Sequence, residues 1–402
     1  HIAMLSAEYP PRWGGMGSTV FHLSSALASR GHQVTIITRN GGGKNTPSIS
    51  GVEVISVGWL RIPMEFTRSY GRSALRALKK LNKSNPVDVV HLHCPMISWS
   101  EKQFRDCKMN VAPIVSSLHG SWLGEKDGLL TAKEQKETAV WANPNDLAIL
   151  LTSSRYAKFE NQALSGSDVC VANSEATKRD FLSRYSPPND WDCEVIYWGV
   201  DTEMFTPSEN RNKDFRSRFG CSDDDILLLA VGRLAARKGY GSLLQAFANV
   251  KSNFSNCKLV IVGRGHLRKR LLNQAHSLGI SSSVYIESSM SFEELAELFR
   301  NADLTVYPSY YEGQGLIPLE SMSSGTPVVT VNHGPLPEMV DSEVGALFDM
   351  GDINSMSETI LKEISDKKSL QKKGVAGRKK VLQNFTYEID ADSFIEIYER
   401  IQ

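Results

Sequence analysis

Two carboxylates eight residues apart, Glu312 and Glu320, carry the clearest chemical signal in this chain. They lie in Ser309-Tyr-Tyr-Glu-Gly-Gln-Gly-Leu-Ile-Pro-Leu-Glu-Ser-Met-Ser-Ser-Gly325, between the short apolar runs 304–307 and 327–331. Runs of that length and character read as buried parallel strands, so the stretch between them is a strand-to-helix corner. Gly313 and Gly315 let the backbone come close to a ligand, and Pro318 suits the first turn of the helix, where its missing N–H does no harm. A helix that opens at the carboxyl edge of a parallel sheet is an anion site. Glu320 would repel a phosphate directly, but it suits the paired hydroxyls of a ribose.

Two cations stand at a second corner, Leu229-Ala-Val-Gly-Arg-Leu-Ala-Ala-Arg-Lys-Gly239. A strand delivers Arg233 to its carboxyl edge, and Lys238 returns from the start of the next helix. Holding two cations there costs solvation unless an anion sits between them, and cations are the wrong choice for the helix dipole. A departing diphosphate is such an anion. Gly14, Gly15 and Gly17, between the first strand and a helix expected from Ser18, allow backbone approach to an anion or simply form a tight turn. Their spacing is wrong for the Gly-x-Gly-x-x-Gly dinucleotide fingerprint. His119 ends the apolar run Pro113–Leu118; taken alone, it is read as either structural or catalytic.

The pattern Glu-Gly-x-Gly-Leu-x-x-Leu-Glu over 312–320, followed by Gly-Thr-Pro-Val-Val at 325–329, resembles the signature of retaining GT-B glycosyltransferases of family GT4. The likeness runs through nearly the whole chain in family order. It implies that Glu312 and His119 orient the donor sugar and that Arg233 and Lys238 stabilise the leaving diphosphate. It also implies that Glu320 holds the ribose, with Leu316 part of the binding motif, and that Gly14, Gly15 and Gly17 reach the donor's phosphates. By the same likeness Gly263 lies near the nucleotide, and the loop ending in Met290 holds the base through its backbone. Asn332-His-Gly-Pro-Leu-Pro-Glu338 is similar to the loop that closes the donor site. Departures from the pattern are Trp198 for asparagine, Ser288 for glycine, Gln314 for an aromatic, and His333 and Pro335 in the closing loop.

Positioning these groups needs two series of strands and helices, which the apolar runs supply. The first half gives strands at 2–7, 33–38, 52–57, 88–93, 113–118, 168–172 and 193–197; the second gives 226–231, 258–262, 283–286, 304–307, 328–331 and 345–348. That rhythm argues an α/β architecture of two Rossmann-like, doubly wound parallel sheets, and the GT-B resemblance has them face each other across a cleft. The expected division is 1–200 for the acceptor domain and 201–384 for the donor domain. The final amphipathic helix, 385–402, returns to the first domain by resemblance. Residues 199–223 lack periodicity and read as the interdomain linker, and Asp390 and Asp392 read as solvated.

Bulk properties remove other classes. The 41% apolar and 22% charged residues are ordinary globular composition, and the zero formal charge gives no field for nucleic acid. Six scattered cysteines show no zinc-ligand spacing and fit a reduced, cytoplasmic compartment. Ile2–Glu8 reads as a strand rather than a signal peptide, and no apolar run is long enough to span a membrane. No Asp-x-Asp motif sits at a strand end, and no metal or other cofactor is expected. The stretch 61–83 sets Arg68, Arg72, Arg76, Lys79, Lys80 and Lys83 on one helical face against Ala74, Leu75, Leu78 and Leu81 on the other. Such a helix either lies on anionic lipid, at the inner membrane face, or packs on a sheet as a solvated outer helix.

The expected function is therefore hexose transfer from a UDP-, GDP- or ADP-linked donor to a carbohydrate or lipid hydroxyl. A sugar phosphorylase, a sugar-nucleotide epimerase or a non-catalytic sugar-nucleotide sensor would share the architecture.

Overall fold

The apolar runs pair as parallel strands in two separate sheets in the computed structural model, which describes every residue except 12–13, 41–46, 138–142, 223 and 289. Arg12, beside the first glycine loop, lies outside the described residues. The first sheet contains β1 (Ile2–Leu5), β2 (Val34–Arg39), β3 (Val52–Val57), β4 (Val89–Cys94), β5 (Ile114–Leu118), β6 (Val169–Ala172) and β7 (Cys193–Val195). Its order is β3-β2-β1-β4-β5-β6-β7. The second contains β8 (Ile226–Val231), β9 (Cys257–Val262), β10 (Val284–Glu287), β11 (Leu304–Tyr307), β12 (Val328–Val331) and β13 (Gly345–Phe348), in the order β10-β9-β8-β11-β12-β13. Each order reverses once, between β1 and β4 and between β8 and β11. At such a reversal successive loops diverge and open a crevice at the carboxyl edge.

Burial on both faces explains why the central strands are continuous apolar runs, whereas the edge strand β3 (Val-Glu-Val-Ile-Ser-Val) carries polar residues and is fully buried only at Val57. All six residues of β8 and all four of β11 are buried. Helix Glu65–Ser84 covers the first sheet with Tyr70, Ala74, Leu75, Leu78 and Leu81, and Tyr70 donates to the Ile37 carbonyl at 2.6 Å. Its basic residues point outward, and several are neutralised: Arg68 and Arg72 by Glu65, and Lys79 by Asp106. No helix among the described residues is long and apolar enough to cross a membrane.

The chain forms two compact units, His1–Lys126 with Leu147–Gly199 and Tyr387–Gln402, and Asp127–Asp146 with Val200–Thr386. The segment 127–146 was expected with the first unit and lies with the second. It is held there by Glu137, whose carboxylate accepts from the amides of Gly241 and Ser242 at 3.0 and 2.8 Å. The last helix, Tyr387–Ile401, belongs to the first unit: Tyr398 bonds His91 at 2.6 Å and Arg30 pairs with Asp392 at 2.5 Å. Asp390, read as solvated, is fully buried and accepts from the Gly199 amide at 2.7 Å. Burial pushes its carboxyl well above the usual range.

Residues 200–222 are not a free linker. Phe205 packs edge-on against Phe299, and buried Arg216 bonds Asn301 O at 2.6 Å, Asp225 O at 2.6 Å and Asp303 at 3.2 Å. The stretch lacks periodicity because side chain-to-backbone bonds, rather than an apolar stripe, attach it to the second unit. Replacing Arg216 takes this donor from the Asn301 and Asp225 carbonyls in a buried site, while Asp303 keeps Arg211 and the Leu227 amide. Arg216→Met should therefore cost about 3 kcal/mol, a fall in Tm of roughly 6–12 °C. An unchanged thermal or urea midpoint would return 200–222 to the role of a loose connector.

Candidate functional site

In the second unit, the loops after β8 and β11 carry the two corners that the sequence singled out, and they meet at the sheet's reversal point. The Tyr310 amide donates to the Arg237 carbonyl at 2.8 Å, and the Ser309 hydroxyl donates to the same oxygen at 3.3 Å. This brings Lys238 against Glu312. The Lys238 ammonium pairs directly with Glu312 Oε1 and donates to the Tyr307 hydroxyl at 3.0 Å. The Tyr307 hydroxyl in turn donates to Glu312 Oε1 at 2.7 Å. Arg237 Nη1 lies 3.9 Å from the same carboxylate oxygen and bonds the Tyr311 carbonyl at 3.2 Å.

The anion expected between the cations is thus partly built into the protein. Burial by itself would raise Glu312, but Lys238 and Arg237 hold it down at about 2. Burial pushes Lys238 down to about 8, against the pull of Glu312 and with the help of Arg237 and Arg233. Both partners are therefore charged at neutral pH. Arg233 is exposed at the end of the β8 corner, close enough to add to the positive field. Among the described residues, Lys238 and Arg237 act on Glu312 and Arg233 adds a further positive charge beside Lys238, so cations outnumber the carboxylate at this corner.

Gly315 precedes helix Leu316–Ser323 with φ 98°, a conformation that glycine adopts without strain. The helix carries Glu320 one turn in. One oxygen of Glu320 is sealed from solvent and has no hydrogen-bond partner. Burial, with Asp201 nearby, raises its carboxyl to about 7. Gly263 lies at the end of β9, where a Cβ would collide with the Gly232 carbonyl, so the β9 and β8 corners pack backbone to backbone. Met290 is half-buried beyond β10, and Gly313 is half-buried beside Glu312.

The first unit holds the other candidates. Helix Gly15–Ser29 begins three residues earlier than expected, so Gly15 and Gly17 lie in its first turn and Gly14 is its N-cap. A Cβ on Gly14 would stand 2.8 Å from the Glu8 carboxylate. His119 follows β5 and bonds His93 between Nε2 and Nδ1 at 2.9 Å. It stacks on Trp198 at 5.0 Å with 13° between the rings. Burial pushes His119 down to about 3, so the imidazole is neutral over the physiological range.

Three contributors, Arg237, Tyr307 and His93, have no role in the sequence analysis. Arg237 was passed over as the neighbour of a matched lysine, and Tyr307 as one more residue of a buried strand. The available signal for Tyr307 was position: it is the last residue of β11 and its side chain carries a hydroxyl. His93 is one more residue of buried strand β4, and only the pairing of β4 with β5 brings it to His119.

The comparisons agree with this architecture. Residues 211–380 match the family "Glycosyl transferases group 1", and residues 13–204 match "Glycosyltransferase Family 4". An uncharacterized glycosyltransferase of Methanocaldococcus jannaschii is 30% identical over 355 residues, covering 86% of this chain and 84% of the relative. Among solved structures, sucrose-phosphate synthase from Thermosynechococcus elongatus superposes with a TM-score of 0.82 at 22% identity, covering 99% of this chain and 98% of that one. Anabaena HepE in complex with UDP and glucose superposes at 0.73 and 18% identity, covering 99% of both chains. With two parallel sheets in series and the Lys238–Glu312 corner in place, the chain belongs to the GT4 glycosyltransferases of GT-B fold.

Proposed function

We propose that this glycosyltransferase moves a hexose from a nucleoside-diphosphate sugar to an acceptor hydroxyl with retention of configuration and without a metal ion. The observation that carries the reading is the surplus of positive charge where β8 and β11 end. Among the described residues Arg233, Arg237 and Lys238 outnumber Glu312, and the charge of a diphosphate would be opposed by this cluster. The UDP and glucose held by Anabaena HepE lend support to a donor of this class.

In the proposed reaction the bond from C1 to the β-phosphate oxygen breaks, and the acceptor oxygen bonds C1 on the same face. The acceptor proton passes to the departing phosphate oxygen, and nucleoside diphosphate leaves. Arg233 and Lys238 oppose the charge that develops on the leaving group. Glu312 Oε1 already accepts from Lys238 and Tyr307, which makes it a poor nucleophile. That favours same-face substitution over a covalent glycosyl–glutamate intermediate. Glu312 orients the sugar instead, and Glu320, with its unpartnered oxygen, accepts from the ribose hydroxyls. Gly263, Gly313, Gly315 and Leu316 give backbone access to the nucleotide, and Met290 meets the base. For the first unit, the family likeness assigns Gly14, Gly15 and Gly17 to the phosphates and neutral His119 to a sugar hydroxyl. The protein is proposed to act in a reducing, cytoplasmic compartment.

A thermal-shift and hydrolysis screen against UDP-, GDP- and ADP-sugars tests this directly. One donor should stabilise the protein and be hydrolysed slowly with chelator present. Lys238→Ala should reduce turnover about 10²–10³-fold while the circular dichroism stays native. Loss of turnover on chelation alone would contradict the metal-free reading, and near-normal turnover by Lys238→Ala would remove that residue's role.

The pH dependence follows from the same two groups. Glu320 loses its charge as pH falls through about 7, and Lys238 loses its charge as pH rises through about 8. The kcat/KM for donor should therefore be bell-shaped, with limbs near those values. Lys238→Arg should remove the alkaline limb, and Glu320→Gln the acid limb. A flat profile from about pH 6 to about pH 9 would contradict both assignments.

We further propose peripheral contact with anionic lipid through 61–83. Exposed Ile62 and Leu60 precede the helix, and a groove of about 670 Å³ is lined by Trp59, Leu60, Arg72, Arg76 and Gln103. Sedimentation should show binding to phosphatidylglycerol vesicles but not to phosphatidylcholine vesicles, reduced at least fivefold, as an order of magnitude, in Arg76→Glu/Lys80→Glu. Equal binding by wild type and variant would leave the helix as a solvated cover for the sheet.

A further inference from the structure

Helix Tyr240–Asn253 begins two residues after Lys238, and its first turn has no cap of its own: Gly239 precedes it and supplies no side-chain hydrogen bond. Orphan amides at a buried helix start must find an acceptor. They find one about a hundred residues earlier in the chain. Glu137 Oε2 accepts from Gly241 N at 3.0 Å, and Glu137 Oε1 accepts from Ser242 N at 2.8 Å. Oε1 also accepts from the Tyr310 hydroxyl at 3.2 Å, and Ser242 Oγ bonds the same hydroxyl at 2.9 Å. Glu137 is itself buried, with 7% of its surface exposed.

Two independent features show that this carboxylate is aimed rather than incidental. Helix Trp122–Glu134 ends in a Schellman turn, with Lys136 N bonding Lys133 O at 3.0 Å and Glu137 N bonding Ala132 O at 2.9 Å. The left-handed position of that turn normally takes glycine, yet Lys136 occupies it with φ 58°. The turn places its next residue, Glu137, at the start of helix Tyr240–Asn253. The receiving side is shaped to match. A Cβ on Gly241 would stand 2.5 Å from Glu137 Oε2, so glycine in this first turn, otherwise a poor helix residue, leaves room for the carboxylate.

The position of the contact gives it a functional consequence. Tyr310 lies two residues before Glu312, and its amide bonds the carbonyl of Arg237, the neighbour of Lys238. A single carboxylate therefore bonds the helix that Lys238 leads into and the loop that presents Glu312. We infer that Glu137 is a positioning residue for glycosyl transfer, an internal anion that locks the β8 and β11 corners in the register needed by the Lys238–Glu312 pair. It touches neither donor nor acceptor. The role rests on the transferase reading above and adds a residue that no part of the donor motif contains.

The test compares Glu137→Gln, Glu137→Ala and Gly241→Ala with wild type in steady-state turnover of UDP-glucose, GDP-mannose and ADP-glucose. Thermal midpoints are measured alongside. Glutamine keeps one acceptor for the helix amides, whereas alanine keeps none. Gly241→Ala instead pushes the carboxylate away with Glu137 intact. If Glu137 positions the pair, kcat should fall roughly tenfold in Glu137→Gln and Gly241→Ala and up to about a hundredfold in Glu137→Ala, with donor KM changed less than about threefold. A merely structural cap would lower the midpoint and leave kcat of the folded protein within about twofold, which overturns the inference. Wild type that turns over none of the three donors would overturn the transferase reading and this role with it. Wild-type turnover with unaltered variants would overturn this role alone.

Discussion

The buried Lys238–Glu312 pair is the constraint around which the second unit is arranged. Removing a charge from water costs several kcal/mol per ion, and attraction between partners returns that only when geometry and further hydrogen bonds are good. Here the pair is completed by the Tyr307 hydroxyl, and Arg237 adds a second cation beside the carboxylate. These four side chains come from two corners separated by some seventy residues of chain. Only the reversal of strand order between β8 and β11 puts those corners side by side. Were the pair neutral overall, it would be an inward-looking structural feature. With Arg237 beside it and Arg233 at its rim, the pair sits in a positive field, which is the feature the proposed donor site relies on.

Much of this was legible in the sequence because the central strands are buried on both faces. Each of the thirteen strands among the described residues overlaps a stretch read as a strand from the sequence, and β3, β8, β11, β12 and β13 coincide with theirs residue for residue. The corner motifs were legible for the same reason: glycine, proline and charge are conspicuous where apolar runs stop. What was not legible has a common physical character. Residues 200–222 are attached by Arg216 and by backbone carbonyls, and a side chain-to-backbone bond leaves no periodic trace. Asp390 is buried because it caps the Gly199 amide, although its place on a helix near Asp392 gives it the look of a solvated acid. Glu137 belongs to the second unit through three hydrogen bonds whose partners are about a hundred or more residues away. In each case the determining interaction is long-range and polar, whereas the pattern that sequence reveals is local and apolar.

The departures from the family pattern have structural content of their own. Trp198 stands where asparagine is usual, and its ring lies flat against His119 on one side and against Phe394 of the last helix, 5.5 Å away. A stacked indole restricts the tilt of the imidazole, which a small amide could not do. His93 then fixes one nitrogen of His119. His91, at 4.3 Å from His93, is tied to Tyr398 and Ser117 at 2.6 Å each. Three neighbouring imidazoles are compatible only if they stay neutral, since burial and mutual repulsion both oppose a proton. His91 is accordingly pushed down to about 3 and His93 well below its usual range. A neutral imidazole exchanges hydrogen bonds with hydroxyls without attracting phosphate, which suits a contact to a sugar rather than to its leaving group.

The same principle separates the roles of the two glutamates. Both are held in low-dielectric surroundings, so burial pushes both upward. Glu312 has cations within reach and stays ionised far below neutral pH, which commits it to the pair. Glu320 has Asp201 for a charged neighbour, which pushes in the same direction as burial, and among the described residues one of its oxygens has no donor. A carboxylate in that state gains most from a ligand that brings two hydroxyl donors and no negative charge of its own at the point of contact. The motif's eight-residue spacing therefore separates two electrostatic environments: one glutamate is satisfied by neighbouring cations and a hydroxyl, and the other keeps an oxygen with no partner among the described residues.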